Sequence, residues 1–178
     1  MTQSEENYIK GIYHLSQGGK MSISTNALAG QMETKPSSVT DMIKRLSEKG
    51  LVHYKKYQGV HLTEKGTHQA LTVIRKHRLW EVFLVEKLDF TWDEVHEVAE
   101  QLEHIESEKL IDRLDDLLDN PDFDPHGDPI PDKQGRFKTR EKKLLSTMPV
   151  SGHGICVGVK DSSSSFLKFL DKHHIELG

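Results

Sequence analysis

The feature that most constrains this chain is the punctuation of residues 1–70. Residues 5–15 place apolar side chains at 8, 9, 12, 13 and 15, a helical period, and Gly18-Gly19 ends the run. Ser24-Thr25-Asn26 offers an N-cap to a short amphipathic helix through Ala27, Leu28 and Met32. Lys35-Pro36-Ser37-Ser38 opens another helix with proline in its first turn, where the missing N–H has no helical partner in any case. That helix carries Val39, Met42, Ile43 and Leu46 and stops at Gly50. Two helices joined by about three or four residues make a helix-turn-helix. Residues 51–55 and 59–63 follow as strand-like runs around Lys56-Tyr57-Gln58, a β-hairpin with a basic, aromatic tip. Helix, helix-turn-helix and hairpin together predict a winged helix; the competing arrangement is a small helical bundle with an incidental hairpin.

A second pattern lies downstream. In the segment from His96 through Glu100 and Glu103 to His104, offsets of 0, 4, 7 and 8 rotate by roughly 0°, 40°, −20° and 80° about a helix axis. Two imidazoles and two carboxylates therefore share one stripe. His77 and Glu81, at i and i+4, form a further pair. Histidine with carboxylate is a ligand set for Mn, Fe, Co or Zn. Against this, Val95, Val98, Ala99, Leu102 and Ile105 fill the neighbouring arc, and charges opposite an apolar face are ordinarily solvated. With 11 His and 28 acidic residues in 178, spacing alone leaves both readings open.

The charge distribution separates these two regions. Residues 1–70 carry nine Lys and Arg against six Asp and Glu; residues 71–143 carry twelve against nineteen, and residues 144–178 three against three. A mildly basic unit joined to an acidic one suits a DNA-facing module fused to a cation-facing one. Cys156 is alone and strand-flanked, which fits a packed thiol and a reducing cytoplasm. No apolar run approaches a membrane span, and the N-terminus lacks the apolar stretch of a signal peptide, so a cytoplasmic location without a membrane partner is expected.

Helical periodicity resumes after Thr63 and runs to Leu88, then from Thr91 as N-cap to about Ser107, then through Leu110, Ile111, Leu114, Leu117 and Leu118. Residues 122–136, rich in Pro, Gly and Asp, read as loop. Residues 138–149 read as a basic linker, 150–159 alternate like a strand, and 166–173 form a short helix. The expected division is 1–70, 71–137, a linker over 138–149, and 150–178. The last segment is too short for a core of its own, so it either packs on the rest or is part of a third domain.

Several separated motifs, in order, resemble the DtxR/MntR family of metal-dependent transcriptional repressors: Arg75-Lys-His77-Arg-Leu79 with Glu81, then Val95-His96 followed by Glu100, Glu103 and His104, then Pro125-His-Gly-Asp-Pro-Ile-Pro131. The resemblance runs from Glu6 to about Asp171. It implies a mainly α protein: a winged helix-turn-helix DNA-binding domain, a helical metal-binding and dimerisation domain, and a short SH3-like C-terminal β segment. It implies a homodimer on double-stranded operator DNA, two metal ions per subunit, and control of metal-uptake genes. An ancillary site would fall on His77, Glu81 and His96, completed from the last segment by Asp161 or, as weaker ligands, Ser162 or Ser165, and a primary site on Asn7, Glu100, Glu103 and His104. Iron-responsive members tend to have Met at position 7 and Cys at position 100, and manganese-responsive ones Asp at position 7. Glu100 matches the manganese type, and the amide oxygen of Asn7 can ligate a hard cation, so Mn²⁺ is expected ahead of Fe²⁺.

On such a fold the recognition helix presents Ser37, Ser38, Thr40 and Lys44, while Lys55, Lys56 and Tyr57 on the wing tip touch the DNA backbone. Short hydroxyls suit phosphate contacts and discriminate bases poorly. No enzyme activity and no small organic substrate is expected. The alternatives are a winged-helix regulator that senses an organic ligand and, further off, a metallohydrolase, for which the HExxH pattern is missing.

Overall fold

Thr2 opens the first helix, α1 (Gln3–Leu15): its hydroxyl accepts from Glu5 N, and the Glu5 carboxylate accepts from Thr2 N at 3.0 Å. Two orphan donors are thus satisfied reciprocally. Ser24 caps α2 (Thr25–Gln31) by accepting from Ala27 N at 3.0 Å, and Pro36 starts α3 (Pro36–Glu48), as the sequence predicts. Gly50 ends α3 at φ 68°, with Leu51 N reaching back to Leu46 O. A computed structural model describes residues 1–55 and 58–178; Lys56 and Tyr57, expected at the wing tip, lie outside the described residues.

The hairpin forms as β1 (Val52–Lys55) and β2 (Gly59–Leu62), antiparallel, with Val52 opposite Leu62, and Ile23 adds a bridge to Val60. Ile9, Ile12, Leu28, Val39, Ile43, Leu46 and Val60 are fully buried in one core. This is the winged helix that caps and stops predict. Gly66, in the first turn of α4 (Glu64–Leu88), lies where an added Cβ would come within 1.9 Å of Leu51 O. Gly→Ala within a helix ordinarily stabilises by up to about 1 kcal/mol. Here the sign should reverse: Gly66→Ala is expected to lose about 1–3 kcal/mol, read as a lower urea midpoint at constant m-value.

The chain divides into two units, residues 1–74 and 75–178. The second has its own core, centred on Leu79, Val95, Ala99, Leu114 and Ile130. It contains the end of α4, then α5 (Val95–Leu102), α6 (Glu108–Leu117) and α7 (Ser164–Lys172). Expectations for the stripe-bearing helix change at both ends: it starts at Val95, with Glu94 and not Thr91 at the N-cap position. The stripe-bearing helix ends at Leu102, not near Ser107, so Glu103 and His104 sit in the turn after it. The reason is local: Ser107 is extended and caps α6 by accepting from Leu110 N, which a continuous helix would forbid.

Residues 150–159 form no strand, so the expected β segment is absent among the described residues. The backbone there is held by single bonds, Val159 N to His126 O at 3.0 Å and Gly178 N to Cys156 O at 2.8 Å, and a ladder needs a neighbouring strand. The tail packs onto its own unit through α7, where Leu167 and Leu170 are buried and Ser164 Oγ donates to Asp93.

The loop over 121–131 is fixed from α4. Arg75 donates to Pro131 O at 2.7 Å and pairs with Asp115, while Arg78 donates to Pro129 O and lies 3.3 Å from Asp124. Asp124 Oδ1 accepts from both His126 N and Asp128 N at 2.9 Å, which turns the chain sharply.

Candidate metal centre

Three groups of ligand-type side chains converge in the second unit, each with its ligand atoms within 4.8 Å of one another: His77, Glu81 and His96; His77, Glu100 and Glu103; Glu81, Asp124 and His126. His77 and Glu81 stand one turn apart on α4, His96 and Glu100 one turn apart on α5, and Glu103 caps α5. The helical spacing read from the sequence is therefore what brings them together.

His77 is the junction. Its Nδ1 lies 2.7 Å from Glu103 Oε2, and its Nε2 lies 3.0 Å from Glu81 Oε1 and 3.2 Å from His96 Nδ1. A ring whose Nδ1–H donates to a carboxylate has its Nε2 lone pair fixed in direction, the usual arrangement of a metal-ligating histidine. His96 also faces Glu81 Oε1 at 3.4 Å and Glu100 Oε1 at 3.7 Å. His126 Nδ1 lies 3.6 Å from Glu81 Oε2, and its Nε2 donates to Trp92 O at 2.7 Å. The two oxygens of Glu81 thus serve different partners.

Glu81 and Glu103 are 2% and 0% exposed. Carboxylates are almost never buried so fully unless paired or coordinating. Burial alone would raise the Glu81 carboxyl, but hydrogen bonds from His126, His77 and His96 outweigh it and hold the group well below the ordinary carboxylate range. Asp124 goes the other way: burial and the neighbouring charge of Glu81 push it up to about 6. For His126 burial favours the neutral ring, and Glu81 more than reverses that, raising it above the ordinary imidazole value. Several buried anions and imidazoles within reach of one another form a donor set that fits a divalent cation of the Mn, Fe or Zn kind.

The other predicted site residues are placed as follows. His104 follows Glu103, its Nε2 3.9 Å from Glu103 Oε1. Asp161 is exposed, accepts from Ser163 N at 2.8 Å, and belongs to none of the three groups. Asn7 lies in α1, in the first unit, where its Oδ1 is buried and has no hydrogen-bond partner. An amide oxygen so placed is able to accept from a donor or to ligate a hard cation. Ser37 and Ser38 are exposed in the first turn of α3; Thr40 donates to Pro36 O, and Lys44 is exposed 3.6 Å from Asp41. Lys55 is exposed at the end of β1.

Asp124 and His126 were not among the expected ligands. Their signal was a histidine and an aspartate in the Asp124-Pro125-His126-Gly127 turn, which has no helical period to mark a face.

The sequence matches two family descriptions: "Iron dependent repressor, N-terminal DNA binding domain" over residues 1–60 and "Iron dependent repressor, metal binding and dimerisation domain" over residues 63–132. An uncharacterized HTH-type transcriptional regulator of Methanocaldococcus jannaschii is 40% identical over 114 residues, covering 64% of this chain and 91% of the relative. The iron-dependent repressor IdeR of Mycobacterium tuberculosis is 34% identical over 131 residues, covering 74% of this chain; the chain spans 56% of that relative's length. Among solved structures, a manganese-dependent transcriptional repressor in complex with manganese has a TM-score of 0.85 at 35% identity, covering 97% of this chain and 79% of the other.

Proposed function

Because this chain belongs to the iron-dependent repressor family, the DtxR/MntR family of metal-dependent transcriptional repressors, we propose that it binds operator DNA as a homodimer when Mn²⁺, or next Fe²⁺, is bound. In this reading it acts in the cytoplasm, on metal-uptake genes, and not as an enzyme. The observation that carries it is the pair of buried carboxylates, Glu81 and Glu103, joined through His77. Sulfur is not among the donors of the three groups, which favours hard to borderline ions.

A bound divalent cation offsets the mutual repulsion of these clustered carboxylates. The ancillary ion would be held by His77, Glu81 and His96, with His126 on the other oxygen of Glu81 and Asp124 in the same group a better-supported completion than Asp161. The primary ion would be held by Glu100, Glu103 and His104 together with Asn7, whose orphaned amide oxygen supports its part. A ligand set drawn from the recognition domain and the dimerisation domain would fix the separation of the two recognition helices in the dimer. Half-sites lie about one DNA turn apart or a multiple of it, so that separation sets affinity. Ser37, Ser38, Thr40, Lys44, Lys55, Lys56 and Tyr57 would then contact the DNA, mostly its phosphates.

The test is a gel shift on promoter DNA with Mn²⁺, Fe²⁺, Zn²⁺ or chelator. A shift that requires metal is expected, and an equal shift in chelator would overturn the reading. Asn7→Ala is expected to raise the Mn²⁺ concentration needed for half-maximal shift by about tenfold or more, and Asn7→Asp to lower it. An unchanged midpoint in Asn7→Ala would remove Asn7 from the site.

A further inference from the structure

The wing carries a pair of residues that the regulatory reading does not use. His53 on β1 stands directly opposite His61 on β2, and both are exposed. The strands alternate cleanly: Val52 and Val60 are buried, and Tyr54 and Leu62 pack partly buried against the same core. His53 and His61 therefore share the outward face, with Lys55 and Gly59 as the next pair along it. Neither ring is hydrogen-bonded to a described residue.

The kind of pairing follows from the backbone. Val60 exchanges both of its hydrogen bonds with Ile23, at 2.9 and 3.1 Å, so its N–H and C=O point away from β1. Alternation then turns the N–H and C=O of His61 toward β1, making His53–His61 a hydrogen-bonded pair. Such residues have Cα atoms about 5.5 Å apart and Cβ atoms about 4.5–5.5 Å apart. Two imidazoles rooted at that separation on one face can each place a nitrogen at about 2.0–2.1 Å from a common ion.

We propose that His53 and His61 form a two-imidazole chelate on the wing that takes Cu²⁺ or Zn²⁺, with water completing the coordination. Two neutral nitrogen donors without a carboxylate bind late first-row ions far better than Mn²⁺, by the usual affinity order. The wing thus discriminates between metals in the sense opposite to the carboxylate-rich centre. An ion there ties the two strands together and adds two positive charges to the hairpin.

The test uses the full chain and its His53→Gln, His61→Gln and double variants, all on exposed positions. Calorimetric titration with Zn²⁺ should give one ion fewer per chain in each single variant and no further loss in the double variant. In NMR titrations with Cu²⁺, the ring protons of His53 and His61 should broaden together, and in either single variant the remaining ring should respond only at higher copper. The Mn²⁺-dependent gel shift should keep its midpoint in all three, which separates failure here from failure of the regulatory reading. Unchanged Zn²⁺ stoichiometry in the single variants, or independent broadening of the two rings, would overturn the proposal.

Discussion

Glu81→Ala should lose the share of Mn²⁺ stabilisation that comes from the ion held by His77, Glu81 and His96. At a metal concentration about a hundred times its Kd, one such ion contributes about 2.7 kcal/mol, measured as the difference between urea midpoints in Mn²⁺ and in chelator. The variant should keep only the gain from the ion at Glu100, Glu103 and His104, because Glu81 belongs to the other two ligand groups and is buried beside three imidazoles. In chelator it should itself be about 1–3 kcal/mol less stable, since His77, His96 and His126 lose a buried acceptor. The two effects are separable: the second is present without metal, the first only with it. A metal-induced gain in Glu81→Ala equal to that of the wild type would show that the groups containing Glu81 are only a buried hydrogen-bond network.

The second large effect concerns Glu103. With saturating Mn²⁺, Glu103→Ala should bind operator DNA no better than the wild type does in chelator. Glu103 is fully buried and accepts from His77 Nδ1, so its loss removes one anionic donor and frees the ring it orients. Moving a two-state protein from 1:99 to 99:1 requires about 10⁴-fold preference of the ion for one state, and a centre missing its most buried carboxylate cannot supply that. Glu103→Gln keeps an acceptor for His77 without the charge and should fall between the two. DNA binding by Glu103→Ala that still rises with Mn²⁺ to the wild-type level would remove Glu103 from the regulatory site.

How much of this was legible in the sequence depended on whether the information was local. The winged helix could be read because its boundaries are set by nearby caps and stops: Ser24 on Ala27 N, Pro36 at the head of α3, Gly50 at its end. The partnership of His77 with Glu81, and of His96 with Glu100, followed from the i, i+4 rule on helices that do form. The end of α5 at Leu102 was missed because apolar periodicity continues through Ile105 while the competing cap, Ser107, acts on the next helix. Asp124 and His126 were missed for a different reason. They are aimed at Glu81 by a loop whose shape comes from Asp124 capping two amides and from Arg78 reaching it from α4, and no one-dimensional period encodes that. The strand read over 150–159 failed because alternation says nothing about whether a partner strand exists.

The shared residues also set a ceiling on stoichiometry. A neutral imidazole has one lone pair to give, so His77 can serve the group with Glu81 and His96 or the group with Glu100 and Glu103, and not both at once. Glu81 has no such restriction, because its two oxygens already face different partners. Three groups drawn from seven residues therefore cannot fill independently: loading one dictates which nitrogen of His77 remains free and which oxygen of Glu81 is left for its neighbour. Ions counted by calorimetry and ligands counted by mutation should accordingly disagree, and the mismatch would locate the residue being shared.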